Sequence, residues 1–204
     1  SNTSKIKTHL DNNSINYEDL TEKTDLIAVQ GKGAIPIIEE LMPVPNKFST
    51  SKKLNYIYAR TGYTGEDGIE IMLEQKDTIN FIHQLETRGV KPCGLGSRDT
   101  LRLEASLPLY GFELSDNISP VEAGLKWTLS NNDNYLGKNF IDEQLESKEH
   151  KYLKKFKLNA KQIARTDTSC IAGSVPGVVT SGNISPVLGH PIGFALFETN
   201  PADN

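Results

Sequence analysis

The sequence predicts an α+β fold that leads into a small all-β domain, a barrel or a sandwich. Three observations carry that expectation. Up to residue 88, strand-like and helix-like apolar patterns interleave. Two strand-like stretches, 55–60 and 68–73, are joined by TGYTGED, which is too short for a crossover helix and therefore closes a hairpin. After Trp127 the chain changes to short β-rich stretches divided by Gly, Ser, Pro and Asn.

Taken in order, residues 4–12 read as a short helix, and DLIAVQ at 25–30 as a buried strand closed by Gly31. Residues 34–42 place Ile35, Ile37, Ile38, Leu41 and Met42 at helical intervals, with Pro36 in the first turn, where its missing N–H has no intrahelical role. Residues 43–53 read as a polar loop. Strand 68–73 puts Ile69, Ile71 and Leu73 on one side of the pleat and Glu70 with Met72 on the other. Residues 77–88 form an amphipathic helix around Ile79, Phe81, Ile82 and Leu85. A further helix is expected after Gly94, with Ser97 as its N-cap and Arg98 in its first turn. Residues 138–149 read as a charged helix. Strands are expected at 152–158, 162–171, 177–180 and 192–197. A boundary between the two parts is placed near residues 128–150.

The 204 residues can bury a full core in one large domain or two small ones. A net charge of −4 argues against a generic nucleic-acid binder. The one basic cluster, KEHKYLKK at 148–155, reads as a solvated helix-to-strand connection. Cys93 and Cys170 stand far apart and in no motif, as expected of free thiols in a reducing compartment. The four histidines have no spacing that suits zinc. No apolar stretch has the length of a membrane span, and the first residues, SNTSKIKTHL, lack the apolar core of a secretory signal. They also lack an initiator Met, which suggests an excised or processed piece.

The densest chemistry lies in VKPCGLGSRDTLRLEASLPLYGFELSDNISPVEAGL, residues 90–125. Arg98, Asp99, Arg102 and Glu104 occupy about two helical turns beside Leu101 and Leu103. Arg98 and Arg102 share a helix face, so they either hold a carboxylate between two guanidinium forks or join Asp99 and Glu104 in a structural ion-pair network. Gly62, Gly65 and Gly68 space as GxxGxxG, but a phosphate loop runs from a strand into a helix and this one runs between strands. Glu70 is either an exposed carboxylate on a polar face or the partner of a cationic ligand edge, and Tyr63 at the turn could stack on a flat ring.

These residues resemble a known family. RTGYTGEDGIEI at 60–71 and GLGSRDTLRLEASLPLYG at 94–111 are similar to two signatures of the T protein (aminomethyltransferase) of the glycine cleavage system. PVEAG at 120–124 follows at the family's place, and GVVTSGNISPVL at 177–188 resembles a strand-turn of the family's C-terminal barrel. Together the motifs extend from about residue 25 to 197 in the family's order.

The resemblance implies a partly ferredoxin-like folate-binding α+β region at 1–130, a helical connection at 131–150 and a C-terminal β-barrel at 151–204. It implies transfer of a methylene carbon from the aminomethyl-lipoyl arm of H protein to tetrahydrofolate, with release of ammonia and no metal. It assigns Glu70 to the amino-pyrimidine edge of the pterin, and Arg98 and Tyr63 to the same ligand. Asp99, Arg102 and Glu104 would lock the Arg98 helix in place. The family's catalytic aspartate lies N-terminal to residue 1, and further barrel strands lie beyond Asn204, so this piece alone is expected to be inactive. The location implied is bacterial cytoplasm, or mitochondrial matrix in a eukaryote. Two other classes share the scaffold: a folate-dependent demethylase or dimethylglycine-type oxidase domain, and a non-enzymatic folate-binding module.

Overall fold

The structure is a computed structural model that describes residues 2–53, 55–130, 132 and 135–201. It divides into two compact units, Ser1–Gly62 with Glu66–Pro92, and Tyr63–Gly65 with Cys93–Asn204.

The first unit contains helix α1 (Thr3–Asn12), strand β1 (Thr24–Gln30), helix α2 (Ala34–Glu39), strands β2 (Thr50–Lys53), β3 (Tyr56–Ala59) and β4 (Gly68–Glu74), and helix α3 (Gln75–Glu86). Its antiparallel sheet runs β1-β4-β3-β2. The alternation expected for β4 is present. Ile69, Ile71 and Leu73 are fully buried, whereas Glu70 and Met72 are half-buried on the other face. Ile38 of α2 and Phe81 and Leu85 of α3 pack into the same core. Removing each such side chain from water contributes about 1.5–3 kcal/mol.

Two expectations change here. Strand β2 lies inside the stretch expected to be a polar loop. Among the described residues it pairs on one side only, with β3, and its Ser and Lys side chains need no apolar alternation at a sheet edge. Helix α2 stops at Glu39, and Met42 still reaches the core because its N–H bonds back to the Ile38 carbonyl in a closing turn.

The second unit contains α4 (Leu95–Glu104), a single 3-10 turn at Lys126–Thr128, α5 (Lys138–Ser147) and strands β5 (Tyr152–Lys157), β6 (Ser169–Ala172), β7 (Val175–Ser185) and β8 (His190–Phe197). The strands form an antiparallel sheet in the order β5-β8-β7-β6. Among the described residues this sheet is open, with β5 and β6 at its edges, rather than a closed barrel. Leu103 of α4 packs on Ile192 and Phe194 at one face, and Val179, Ala195 and Phe197 form a separate cluster.

Strand β7 is much longer than 177–180. Its Ser, Gly and Asn residues hide the continuation, but the ladder runs on to Ser185 through a bulge. Val179 opposes Ala195 and Ser181 opposes Phe194, which leaves Thr180 as the extra residue. Because facing residues alternate, the bulge turns Ser181 to the Phe194 side, where α4 lies, and leaves Val179 with Ala195. Conversely, the expected strand 162–171 reduces to its last residues. Residues 163–168 instead lie along β7 as an irregular segment that turns at Asp167, whose φ is +66°.

Candidate functional site

Helix α4 begins at Leu95 with Gly94 as N-cap, three residues before the expected start, so Ser97 is inside the first turn, its N–H bonded to the Gly94 carbonyl. At the other end Leu107 N–H reaches the Arg102 carbonyl and Ser106 N–H the Leu103 carbonyl. This is a Schellman closure with Ser106 left-handed at φ +61°. The chain therefore folds back over the helix and brings residues 107–113 against Arg102.

Arg102 is 2% exposed and its donors are answered on three sides. Nη1 bonds Glu113 Oε2 at 2.9 Å, Nε bonds Asp99 Oδ1 at 2.9 Å, and Nη2 bonds Ser181 Oγ at 2.8 Å. Glu113 is fully buried and also accepts the Leu109 N–H at 2.9 Å. A buried pair of this kind tolerates no loss of either partner. Nothing in the sequence singled out Glu113. Its only signal was an acid set between Phe112 and Leu114 in a Gly- and Pro-punctuated loop.

Arg98 has a different environment. It is exposed, and its guanidinium carbon lies 4.7 Å from the centre of the Tyr63 ring. The Tyr63 hydroxyl donates to the Pro108 carbonyl. Burial pushes that hydroxyl above its ordinary pKa, with the Arg102 charge opposing, so it remains a neutral donor near neutral pH. Gly65, at φ +78°, lets the turn sit on α4, since a Cβ there would lie 2.8 Å from the Ala105 Cβ.

The expected four-residue charge network is not what forms. Asp99 does pair with Arg102, at 2.8 Å. Glu104, however, accepts from the Ser185 hydroxyl and from the Val187 N–H at 3.2 Å. It thus fastens α4 to the β7–β8 turn rather than to the arginines, because its position on the helix faces the sheet. Arg98 and Arg102 do line one cavity of about 440 Å³, together with Tyr63, Phe112, Ser181 and Arg165. Arg165 was not anticipated, since a lone basic residue in a polar stretch has no periodic signal.

Glu70 belongs to the first unit. It sits on the central strand β4 between Ala28 and Ala59, half-buried, and its Oε2 accepts from the Thr61 hydroxyl at 2.7 Å. The small neighbours leave that carboxylate room, and Thr61 orients it. The PVEAG stretch forms one capped turn. Ser119 Oγ accepts the Glu122 N–H at 3.2 Å and Glu122 Oε2 accepts the Ser119 N–H at 2.7 Å, a reciprocal capping box, while Gly124 closes the turn at φ +72°. Among the described residues no cluster of three or more His, Cys, Asp or Glu could hold a metal ion. Among the same residues no helix is long and apolar enough to cross a membrane.

The family model for the GCVT N-terminal domain matches residues 1–133. An aminomethyltransferase from Nostoc sp. is 38% identical over 202 residues, which cover 93% of this chain and 54% of that protein. One from Thermosipho melanesiensis is 40% identical over 194 residues, covering 90% and 53%. The crystal structure of glycine cleavage system aminomethyltransferase T from Bartonella henselae matches with a TM-score of 0.84 at 25% identity, over 96% of this chain and 58% of that one. The chain spans just over half the length of the curated relatives it matches. With nearly two thirds of its residues matched by that model, the chain belongs to the GCVT N-terminal domain family.

Proposed function

We propose that this chain supplies the folate-binding part of a glycine-cleavage aminomethyltransferase, which moves a methylene carbon from the aminomethyl-lipoyl arm of H protein to tetrahydrofolate and releases ammonia. The observation that carries the reading is the cavity wall of α4, where a buried Arg102–Glu113 pair holds the helix and leaves Arg98 stacked on Tyr63. The relatives named aminomethyltransferase support it.

In this reading Glu70 takes the amino-pyrimidine edge of the pterin through parallel charge-assisted bonds, with Thr61 fixing its orientation. Arg98 and Tyr63 contact the same ligand class, while Asp99, Arg102 and Glu104 act by positioning α4. Residues 1–130 are the folate-binding region with a ferredoxin-like sheet, 131–150 connect, and 151–204 belong to a small barrel. The chemistry needs little covalent participation. Orientation of the folate nitrogen against the lipoyl-bound carbon supplies most of the acceleration. The catalytic aspartate comes from a segment these residues do not include. The proposed setting is the bacterial cytoplasm, or the mitochondrial matrix in a eukaryote.

The deciding experiment supplies aminomethylated H protein and tetrahydrofolate to a protein carrying both this chain and the aspartate-bearing segment. Ammonia and methylenetetrahydrofolate are the expected products. Turnover of a methylated amine in place of the H protein adduct would overturn the reading. Glu70→Ala and Arg98→Ala each remove a charge-assisted contact worth about 1.5–3 kcal/mol, so each is expected to weaken tetrahydrofolate binding by about tenfold or more. Unchanged affinity for Glu70→Ala returns that carboxylate to an ordinary surface role.

A further inference from the structure

Three guanidiniums line the cavity of the second unit, and among the described residues only Arg102 is paired directly with carboxylates. Arg102 spends its charge on Glu113 and Asp99. Among the described residues neither Arg98 nor Arg165 has a carboxylate partner. Three guanidiniums stand against two carboxylates there, so the wall is net positive, and both carboxylates are engaged by Arg102, which leaves the Arg98 and Arg165 forks open to an anion.

Arg165 is held in place by its own segment. The Asp167 N–H bonds the Val179 carbonyl at 2.9 Å, and the Val179 N–H bonds the Thr168 carbonyl at 2.9 Å. The Thr166 hydroxyl donates to the carbonyl of the bulge residue Thr180 at 3.0 Å. Ala164 packs so closely on Gly182 that a Cβ there would meet its carbonyl oxygen at 1.8 Å. A backbone pinned at four points lies under a side chain that itself makes no internal bond. Rigid backbone below an unpaired guanidinium is what a ligand-contacting residue requires. The rest of the wall includes Tyr63, Leu95, Leu109 and Phe112, so a bare inorganic anion would leave most of it unfilled.

We propose that Arg165 is a ligand-contacting residue which, with Arg98, binds the carboxylates of an aryl dicarboxylate lying against Tyr63 and Phe112. Given the function proposed above, on which only the identity of the ligand rests, that group is the benzoylglutamate end of tetrahydrofolate. Each guanidinium fork can accept one carboxylate bidentately.

The test measures binding of tetrahydrofolate and of p-aminobenzoylglutamate to wild type, Arg165→Gln and Arg165→Lys, by calorimetry and ligand-observed NMR on the full chain. Because the Arg165 side chain is exposed and carries no internal bond, these variants fold as wild type does. Arg165→Gln is expected to weaken both ligands by about tenfold or more. Arg165→Lys restores charge but not the fork and should recover part of that loss. If both ligands bind wild type and Arg165→Gln alike, the inference is overturned while the folate reading stands. If p-aminobenzoylglutamate binds in an Arg165-dependent way but tetrahydrofolate binds no better, the dicarboxylate subsite stands and the folate reading falls. Failure of wild type to bind either compound overturns both.

Discussion

A guanidinium that is 2% exposed persists only because Glu113, Asp99 and Ser181 answer its donors. Arg102→Ala strands the Glu113 charge in the interior and is expected to cost about 3–5 kcal/mol in chemical denaturation. Replacing both partners by apolar residues of similar volume, as in Arg102→Met with Glu113→Leu, is expected to return most of that loss. Ser106 makes the opposite case. It holds a left-handed φ of +61° at the end of α4, where Gly has no Cβ penalty, so Ser106→Gly should raise stability by about 1 kcal/mol in the same measurement. At this scale the legible residues were those with a period. Arg98, Asp99 and Arg102 stood out as charges among leucines at helical spacing. Glu113 and Arg165 did not, because a loop has no repeat against which a lone charge looks out of place.

The β3–β4 hairpin shows how an element's end is fixed by charge. Arg60 grips Asp67 with both edges of its fork, Nε to Oδ1 at 3.1 Å and Nη2 to Oδ2 at 2.6 Å, and the Gly68 N–H adds a third bond to Oδ1 at 3.0 Å. The bonds from Arg60 hold the Asp67 carboxyl below its ordinary pKa. A depressed folded pKa contributes stability that is complete above the unfolded value of about 3.9 and is lost as pH falls through the folded value. Acid titration of Asp67→Asn should therefore show a shallower loss of stability below about pH 4 than wild type does. In the second sheet, Gly182→Ala is expected to push residues 163–168 off β7. Faster hydrogen exchange at the Asp167 and Val179 amides would report it, and equal exchange would show that the contact can relax. Strands with apolar alternation, such as β4, were readable in advance. Strand β2 was not, since an edge strand of Ser and Lys has the composition of a loop, and the length of β7 was masked by the small polar residues that accommodate its bulge.

At the scale of the molecule, a chain of net charge −4 carries a cavity wall with two unpaired guanidiniums. Its attraction for an anionic ligand is thus local and runs against the global field. Raising salt until the screening length falls from about 10 Å to about 3 Å should weaken p-aminobenzoylglutamate binding, and a salt-independent Kd would mean that the arginines do not contact the carboxylates. Family membership was readable because RTGYTGEDGIEI and GLGSRDTLRLEASLPLYG preserve whole turns and helix faces rather than single residues. The arrangement of partners inside α4 was not, because Glu104 finds Ser185 some eighty positions away, and no local pattern encodes a contact of that separation. Thr180 has a bearing on how this chain can change in length. It alone within the β7–β8 pairing lacks an opposite number, so an in-frame loss of its codon leaves each remaining pair, Val179 with Ala195 and Ser181 with Phe194, as before. What disappears is the carbonyl to which Thr166 is moored. Shortening the gene at that triplet would spare the sheet while taking away one of the four moorings of the segment that carries Arg165.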